Sequence, residues 1–274
     1  METRLTSSSR EVVIAAERPF VIIGERINPS GRTLLAAEMR AGVMDRVRAE
    51  AQAQTAAGAQ LLDVNAGIPE ADEPVLLVAA IKAVMEVTDL PVCIDSSSIE
   101  AHEAALASYR GKALVNSVSA EEERMERLLP LARKHGAAVI GMLYDENGIS
   151  MVPEERLALA RRIIARAADH GIPQEDVVID PIALPLAADP TRGRVTLETM
   201  RLIRDELGNN ITCGASNVSF RLRERRALNA AFLTIAMYMG LSSAITNPLD
   251  RHVSDAVHAV DVMLGHDRRL PDQA

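Results

Sequence analysis

The chain has 274 residues, 48% of them hydrophobic but only 2% aromatic, and a formal charge of −8. That length suits a single α/β barrel, with a core drawn from Ala, Leu, Ile, Val and Met. Acidic balance and the lack of Trp argue against nucleic acid as a partner, and no apolar run approaches the about 18 residues of a membrane span.

Along the chain, short apolar runs alternate with long amphipathic stretches rich in Ala, Arg and Glu. Residues 1–18 read as a leader, without the apolar core of a signal peptide. Strands are predicted at 20–24, 60–64, 91–95, 113–116, 137–142, 176–180, 211–214 and 243–246. Helices are predicted near 43–57, 73–87, 99–107, 121–134, 153–169, 195–207, 224–240 and 253–262. Unalternated apolar runs suit strands buried on both faces, and regular β–α alternation implies a parallel sheet. Eight such units over residues 19–263 suggest a closed (β/α)8 TIM barrel as a single domain, with 264–274 as a loose tail. A doubly wound open sheet is the structural alternative.

The predicted strands end on polar residues. The first leads to Glu25, Arg26 and Asn28, and the second contains Asp63 and ends at Asn65. The third ends in Asp95, the fourth in Asn116 and the sixth in Asp180. The seventh leads through Gly214 to Ser216 and Asn217, and the eighth to Asn247. In a closed barrel these ends form one rim, where active sites of this fold sit. The Asp, Asn and Ser residues among them are also good helix caps. As a set, acids and amides suit a neutral, planar ligand with many donors and acceptors. No Gly-rich phosphate loop is visible.

Cys93 and Cys213 lack the spacing of a disulfide framework or a zinc site. None of the six His lies at a predicted strand end, and no HxH or HExxH motif is present. No intrinsic metal is expected, and a reduced, cytoplasmic protein is. The Arg/Glu-rich stretches at 121–127 and 154–166 read as solvated helix faces.

The strings GERIN (24–28), LLDVNAG (61–67), CIDSS (93–97), NSVS (116–119), IDP (179–181), GASNVSF (214–220), RRALN (225–229) and TNPLD (246–250) resemble, in that order, those of the pterin-binding methyltransferases. This family moves methyl groups between methyltetrahydrofolate and a corrinoid, and its fold is the (β/α)8 barrel. The resemblance implies that Asp95, Asn116 and Asp180 anchor the pterin. Asp180 would accept from the ring amide N–H and its neighbouring amine together. It implies that Asn217 is the catalytic residue beside the methyl-bearing nitrogen, on a loop shaped by Gly214 and Ser216. Asp63 and Asn65 are expected to support the strand ends, Glu25 and Asn28 to border the pocket, and Arg26 to hold one of the neighbouring acids.

The resemblance further implies tetrahydrofolate or methyltetrahydrofolate as substrate, a corrinoid (cobalamin) supplied by a separate corrinoid protein, and a homodimer. Two other readings remain. One is a dihydropteroate synthase-like enzyme, which shares barrel and pterin pocket but must also hold pyrophosphate. The other is a non-catalytic subunit that binds pterin or a corrinoid protein.

Overall fold

The computed structural model describes residues 1–267. Thr3–Thr6 (β1) and Glu11–Ile14 (β2) pair as an antiparallel hairpin. The described chain then runs β3 (Val21–Ile27), α1 (Thr33–Arg40), α2 (Asp45–Ala56), β4 (Leu61–Asn65), α3 (Glu73–Met85), β5 (Val92–Asp95), α4 (Ile99–Ser108) and β6 (Leu114–Ser119). It continues through α5 (Glu122–Lys134), β7 (Ala138–Met142), α6 (Pro153–Asp169), β8 (Val177–Asp180), α7 (Arg192–Glu206), α8 (Arg225–Tyr238), β9 (Ser243–Thr246) and α9 (Arg251–Leu264). The parallel sheet has the order β8-β7-β6-β5-β4-β3-β9.

The segment predicted as a strand at 211–214 is not a regular one. It bridges Ile211 to Ile179 on one side and Gly214 to Ile245 on the other. Thr212 donates its N–H to the Ile179 carbonyl at 2.9 Å, and Ile245 donates to the Cys213 carbonyl at 2.9 Å. This segment fills the gap between β8 and β9, so the sheet closes as a (β/α)-type barrel and not as an open doubly wound sheet. Its ladder stops early because the chain turns at once into the single helical turn Ala215–Ser219.

Inside the barrel, alternate residues of each strand point inward. Val21, Ile23, Leu61, Cys93, Leu114, Ala138, Ile140 and Val178 form one apolar cluster with Leu5, Val12 and Ile14 of the hairpin. The segment expected as a leader thus closes the barrel's N-terminal end. Tyr109 Oη donates to the Thr6 carbonyl at 3.0 Å, and Asn210 Nδ2 to the Ile14 carbonyl at 2.8 Å. A larger apolar layer lies between the strands and the surrounding helices.

One inward step further along the same strands, the residues change character. Leu61 is followed by Asp63, Cys93 by Asp95, Leu114 by Asn116 and Val178 by Asp180. The period of two therefore carries each strand from an apolar floor to a polar rim. Helix capping falls to other residues: Asp72 on α3, Ser98 on α4 and Asp250 on α9. The expected tail begins where α9 ends, and its residues 268–274 lie outside the described residues. Among those described, no helix is long and apolar enough to cross a membrane.

Candidate active site

The C-terminal rim encloses a cavity of about 710 Å³. Of the residues expected there, Glu25, Asn28, Asp63, Asp95, Asn116, Asp180, Gly214 and Asn217 line it. Two stand just behind. Asn65 donates from Nδ2 to Asp95 Oδ2 at 3.0 Å, while its Oδ1 accepts from the Gly67 N–H at 2.8 Å. Ser216 donates to Glu25 Oε1 at 3.1 Å.

The cavity wall is built in register. Asn65 pairs with Asp95, Asp95 with Asn116, and Met142 with Asp180 across adjacent parallel strands. Asn116 Nδ2 donates to Asp63 Oδ1 at 3.1 Å. Asp180 Oδ1 accepts from the Ile182 N–H at 2.7 Å, which leaves Oδ2 unengaged among the described residues. Asn65 and Asp63 thus orient Asp95 and Asn116 respectively, so these inward residues present fixed acceptors.

Buried acids of this kind resist ionisation. Burial pushes the Asp180 carboxyl up to about 7, against the Ile182 N–H and the Arg156 charge, which favour the carboxylate. Burial likewise raises Asp63 and Asp95, and for Asp63 the neighbouring Asp95 adds to the effect. Glu25 is raised by burial too, opposed by the Ser216 hydroxyl and the charges of Arg225 and Arg26.

Gly214 and Asn217 form a close pair. A Cβ built on Gly214 would lie 2.8 Å from Asn217 Nδ2. The missing side chain is therefore what gives the Asn217 amide its place. The loop is held by the Asn217 N–H donating to the Gly214 carbonyl at 3.1 Å, and by Arg225, whose guanidinium donates to Ser219 Oγ at 3.1 Å and to the Ser216 carbonyl at 3.2 Å.

Several contributors escaped the sequence reading. Arg124 falls in a stretch read as solvated, yet it turns inward and lines the cavity. It donates to the carbonyls of Ser117, Ser97 and Ser96 at 2.8, 2.9 and 3.1 Å. Arg156, also read as surface, is fully buried. It donates to the Ser150 and Pro181 carbonyls at 2.7 and 2.6 Å. Rim loops leave carbonyls without ladder partners, and an arginine fork can satisfy several. Arg26 pairs with Glu50 on α2 at 2.7 Å and not with Glu25, and Arg32 joins the same carboxylate. Met142, the last residue of the predicted strand that lacked a polar end, and Tyr144 just beyond it complete the wall.

His102, on α4, lies behind the wall and is fully buried. Its Nδ1 contacts the Ser98 carbonyl at 3.0 Å, and its Nε2 contacts the Ile94 and Asn116 carbonyls at 3.2 Å each. Burial, with the nearby Arg124 charge, lowers its pKa to about 4, opposed by those carbonyls. The neutral ring braces β5 against β6. Among the described residues, no group of three or more His, Cys, Asp or Glu is placed to hold a metal ion.

Dihydropteroate synthases share this fold. The Xanthomonas albilineans enzyme with 4-aminobenzoic acid matches with a TM-score of 0.72 at 20% identity, over 99% of this chain and 100% of that one. The Yersinia pestis enzyme with a pterine-sulfa conjugate matches with a TM-score of 0.73 at 16% identity, over 96% of this chain and 99% of that one. A methylcorrinoid:tetrahydrofolate methyltransferase from Eubacterium limosum is 32% identical over 257 residues, 91% of this chain and 93% of that protein. The family model described as pterin binding enzyme matches residues 24–247, a span that includes every cavity-lining acid and amide above. The chain belongs to the pterin-binding enzyme family, together with that methylcorrinoid:tetrahydrofolate methyltransferase.

Proposed function

We propose that the protein transfers a methyl group between N5 of tetrahydrofolate and the cobalt of a corrinoid carried on a separate protein. The observation that carries this reading is the pairing of an acceptor-lined wall, formed by Asp95, Asn116 and Asp180, with the side-chain amide of Asn217 in the same cavity. The 32% identical methyltransferase supports the same chemistry.

The pterin ring would lie with its donor-rich edge against that wall. A carboxylate at Asp180 accepts from the ring amide N–H and the exocyclic amine as a pair. Asp95 Oδ1 and the Asn116 amide serve the remaining edge, and Asn65 and Asp63 keep them oriented. N5 would then fall near Asn217.

Transfer alters the charge at N5. When tetrahydrofolate accepts the methyl group, the N5 lone pair forms the new bond and N5 releases its proton. In the opposite direction N5 must gain a proton or a stronger hydrogen bond as its bond to carbon breaks. An amide offers both a donor and an acceptor, and unlike a fixed cation it does not repel a positively charged amine. The corrinoid supplies the cobalt that holds the methyl group on the other side of the reaction.

A synthase role finds less support. Among the described residues each of the four guanidinium groups that line the cavity has a partner, an acid for Arg26 and Arg32 and neutral oxygens for Arg124 and Arg225.

The direct test mixes the protein with methyltetrahydrofolate and free cob(I)alamin and follows the loss of cob(I)alamin absorbance. Protein-dependent loss supports the reading, and its absence refutes it. Asn217→Ala is expected to retain folate and to lose about 10²- to 10³-fold in turnover, the cost of one preorganised donor in comparable sites. Equal losses in affinity and rate would place Asn217 in binding alone.

A further inference from the structure

We propose that Arg221 and Arg223, on the loop that follows Asn217, bind the γ-linked glutamate tail of the folate, so that the protein prefers an oligo-γ-glutamyl tetrahydrofolate to the monoglutamate. The inference rests on the folate reading above and concerns the part of that ligand that leaves the cavity.

The loop is a cationic segment of an acidic protein. The chain carries −8 overall, yet residues 221–226 read Arg-Leu-Arg-Glu-Arg-Arg. Two of these arginines are engaged locally. Arg225 donates to Ser219 Oγ and the Ser216 carbonyl, and Arg226 faces Asp250 at 3.9 Å. Arg221 and Arg223 are exposed and have no acid partner among the described residues. Elsewhere on the surface such arginines are paired, as Arg201 is with Glu198 and Asp205. Glu224 is the one acid within the segment, and it offsets only part of the charge.

Arg221 is also set in an unusual backbone. Its φ of +64° lies in the left-handed region, which is unfavourable for a residue with a Cβ. The turn is closed by the Phe220 N–H donating to the Asn217 carbonyl and the Leu222 N–H donating to the Ser219 carbonyl, both at 3.0 Å. The Arg221 guanidinium lies over the Phe220 ring, 5.4 Å from its centroid, and Phe220 itself is 50% exposed. A guanidinium stacked on a ring is weakly hydrated and keeps its N–H fork open to a carboxylate. The loop thus holds a cation beside the Asn217 turn without neutralising it.

The ligand's own covalent structure sends its tail this way. N5 is assigned to Asn217, and C6, the next ring atom, carries the p-aminobenzoyl-glutamate arm. The corrinoid has to reach N5 through the open mouth, so the arm must leave to the side, past the Asn217 turn. Further round the rim, the loop after β9 is acidic at Asp250, and after β3 Arg26 and Arg32 are already neutralised by Glu50. Each added γ-glutamyl unit brings one more carboxylate, which an arginine fork can bind in bidentate fashion.

Calorimetry with tetrahydrofolate and its tri-γ-glutamate tests this. An exposed ion pair is worth about two- to fivefold in affinity, so two are expected to favour the triglutamate by about tenfold at an ionic strength of about 0.01 M. The Debye length falls from about 30 Å there to about 3 Å at 1 M, and the preference is expected to fall to about twofold or less. Joint Arg221→Glu and Arg223→Glu is expected to abolish or invert the preference at low salt, while joint Arg221→Lys and Arg223→Lys, which keeps the charge, retains most of it. Because the preference is a ratio within one preparation, partial unfolding does not mimic its loss. Equal wild-type affinity for the two ligands overturns the proposal. So does a preference that salt or the glutamate pair leaves unchanged, and these arginines would then be left to the acidic face of a protein partner. A wild-type protein that binds neither ligand refutes the folate reading itself.

Discussion

Gly214→Ala should slow methyl transfer while sparing both the fold and the folate. The backbone at Gly214 has φ −71° and ψ 83°, so no left-handed conformation stands in the way of a side chain. The new Cβ would meet Asn217 Nδ2 at 2.8 Å where ordinary contact begins at 3.4 Å, so the amide must retreat by about 0.6 Å. A misplacement of about 1 Å at a reacting centre costs on the order of 10²-fold in rate, and a shift of this size therefore predicts a loss of about 10- to 10²-fold in kcat. Folate affinity should stay within about threefold, because Asp95, Asn116 and Asp180 are untouched. The melting temperature should hold or rise slightly, since alanine narrows the unfolded ensemble. Single-turnover stopped-flow with cob(I)alamin gives the rate, and calorimetry gives the affinity. An unchanged rate would refute the argument, showing that Asn217 does not act where the structure puts it. So would a parallel fall in affinity, which would mean that the loop belongs to binding.

Asp180→Asn replaces an acceptor pair with a group that also presents donors, and it should weaken folate by about 1.5–3 kcal/mol by calorimetry, the range for a hydrogen bond to a charged group; unaltered affinity would reduce Asp180 to a loop support. The folded-state pKa of Asp180, about 7 against an ordinary 3.8, means that the folded protein keeps a proton which the unfolded chain releases between those values. Ligand-free stability should therefore fall as pH rises from about 4 to about 7, by up to a few kcal/mol, and Asp180→Asn should flatten that slope in chemical denaturation; a slope that Asp180→Asn leaves unchanged contradicts the assignment. The protein is also expected to form a homodimer. Tyr238 on α8 and Met263 on α9 are 70% and 71% exposed, so a glutamate at either position should favour the monomer, and a wild-type monomer at micromolar concentration in light scattering would rule the dimer out.

What the sequence discloses about this site follows from the strand period. Asp63, Asp95, Asn116 and Asp180 each sit two residues beyond an apolar inward residue, so finding the strand ends finds the wall. The same logic fails where a site residue is not on a strand. Arg124 and Arg156 lie in helices whose composition is that of a solvated surface, and only the rim's unpaired carbonyls draw them inward. The Arg26–Glu50 pair spans two elements, so nothing local marks it. Helix α1 is short and fills part of the connection between the first predicted strand and the first predicted helix. The hairpin, by contrast, left a signal. Leu5 alternates with polar neighbours, Val12 and Ile14 share a face, and Ser7–Arg10 is a turn closed by the Ser7 N–H donating to the Arg10 carbonyl at 2.9 Å.

The barrel is not equally firm all the way round. Between β8 and β9 it is joined through 211–214 by isolated bridges, where the other neighbouring strands share longer ladders. Free energies of local opening follow the hydrogen bonds and contacts that must break, so this joint is where the wall can part at the least expense to the rest. The Asn217 turn hangs directly from it. Amides of 211–219 should then exchange with solvent through a sub-global opening, while those of β4 to β7 wait for complete unfolding. The barrel would in that way keep one breathing seam, set beside the cavity mouth that the proposed corrinoid carrier would have to reach and leave.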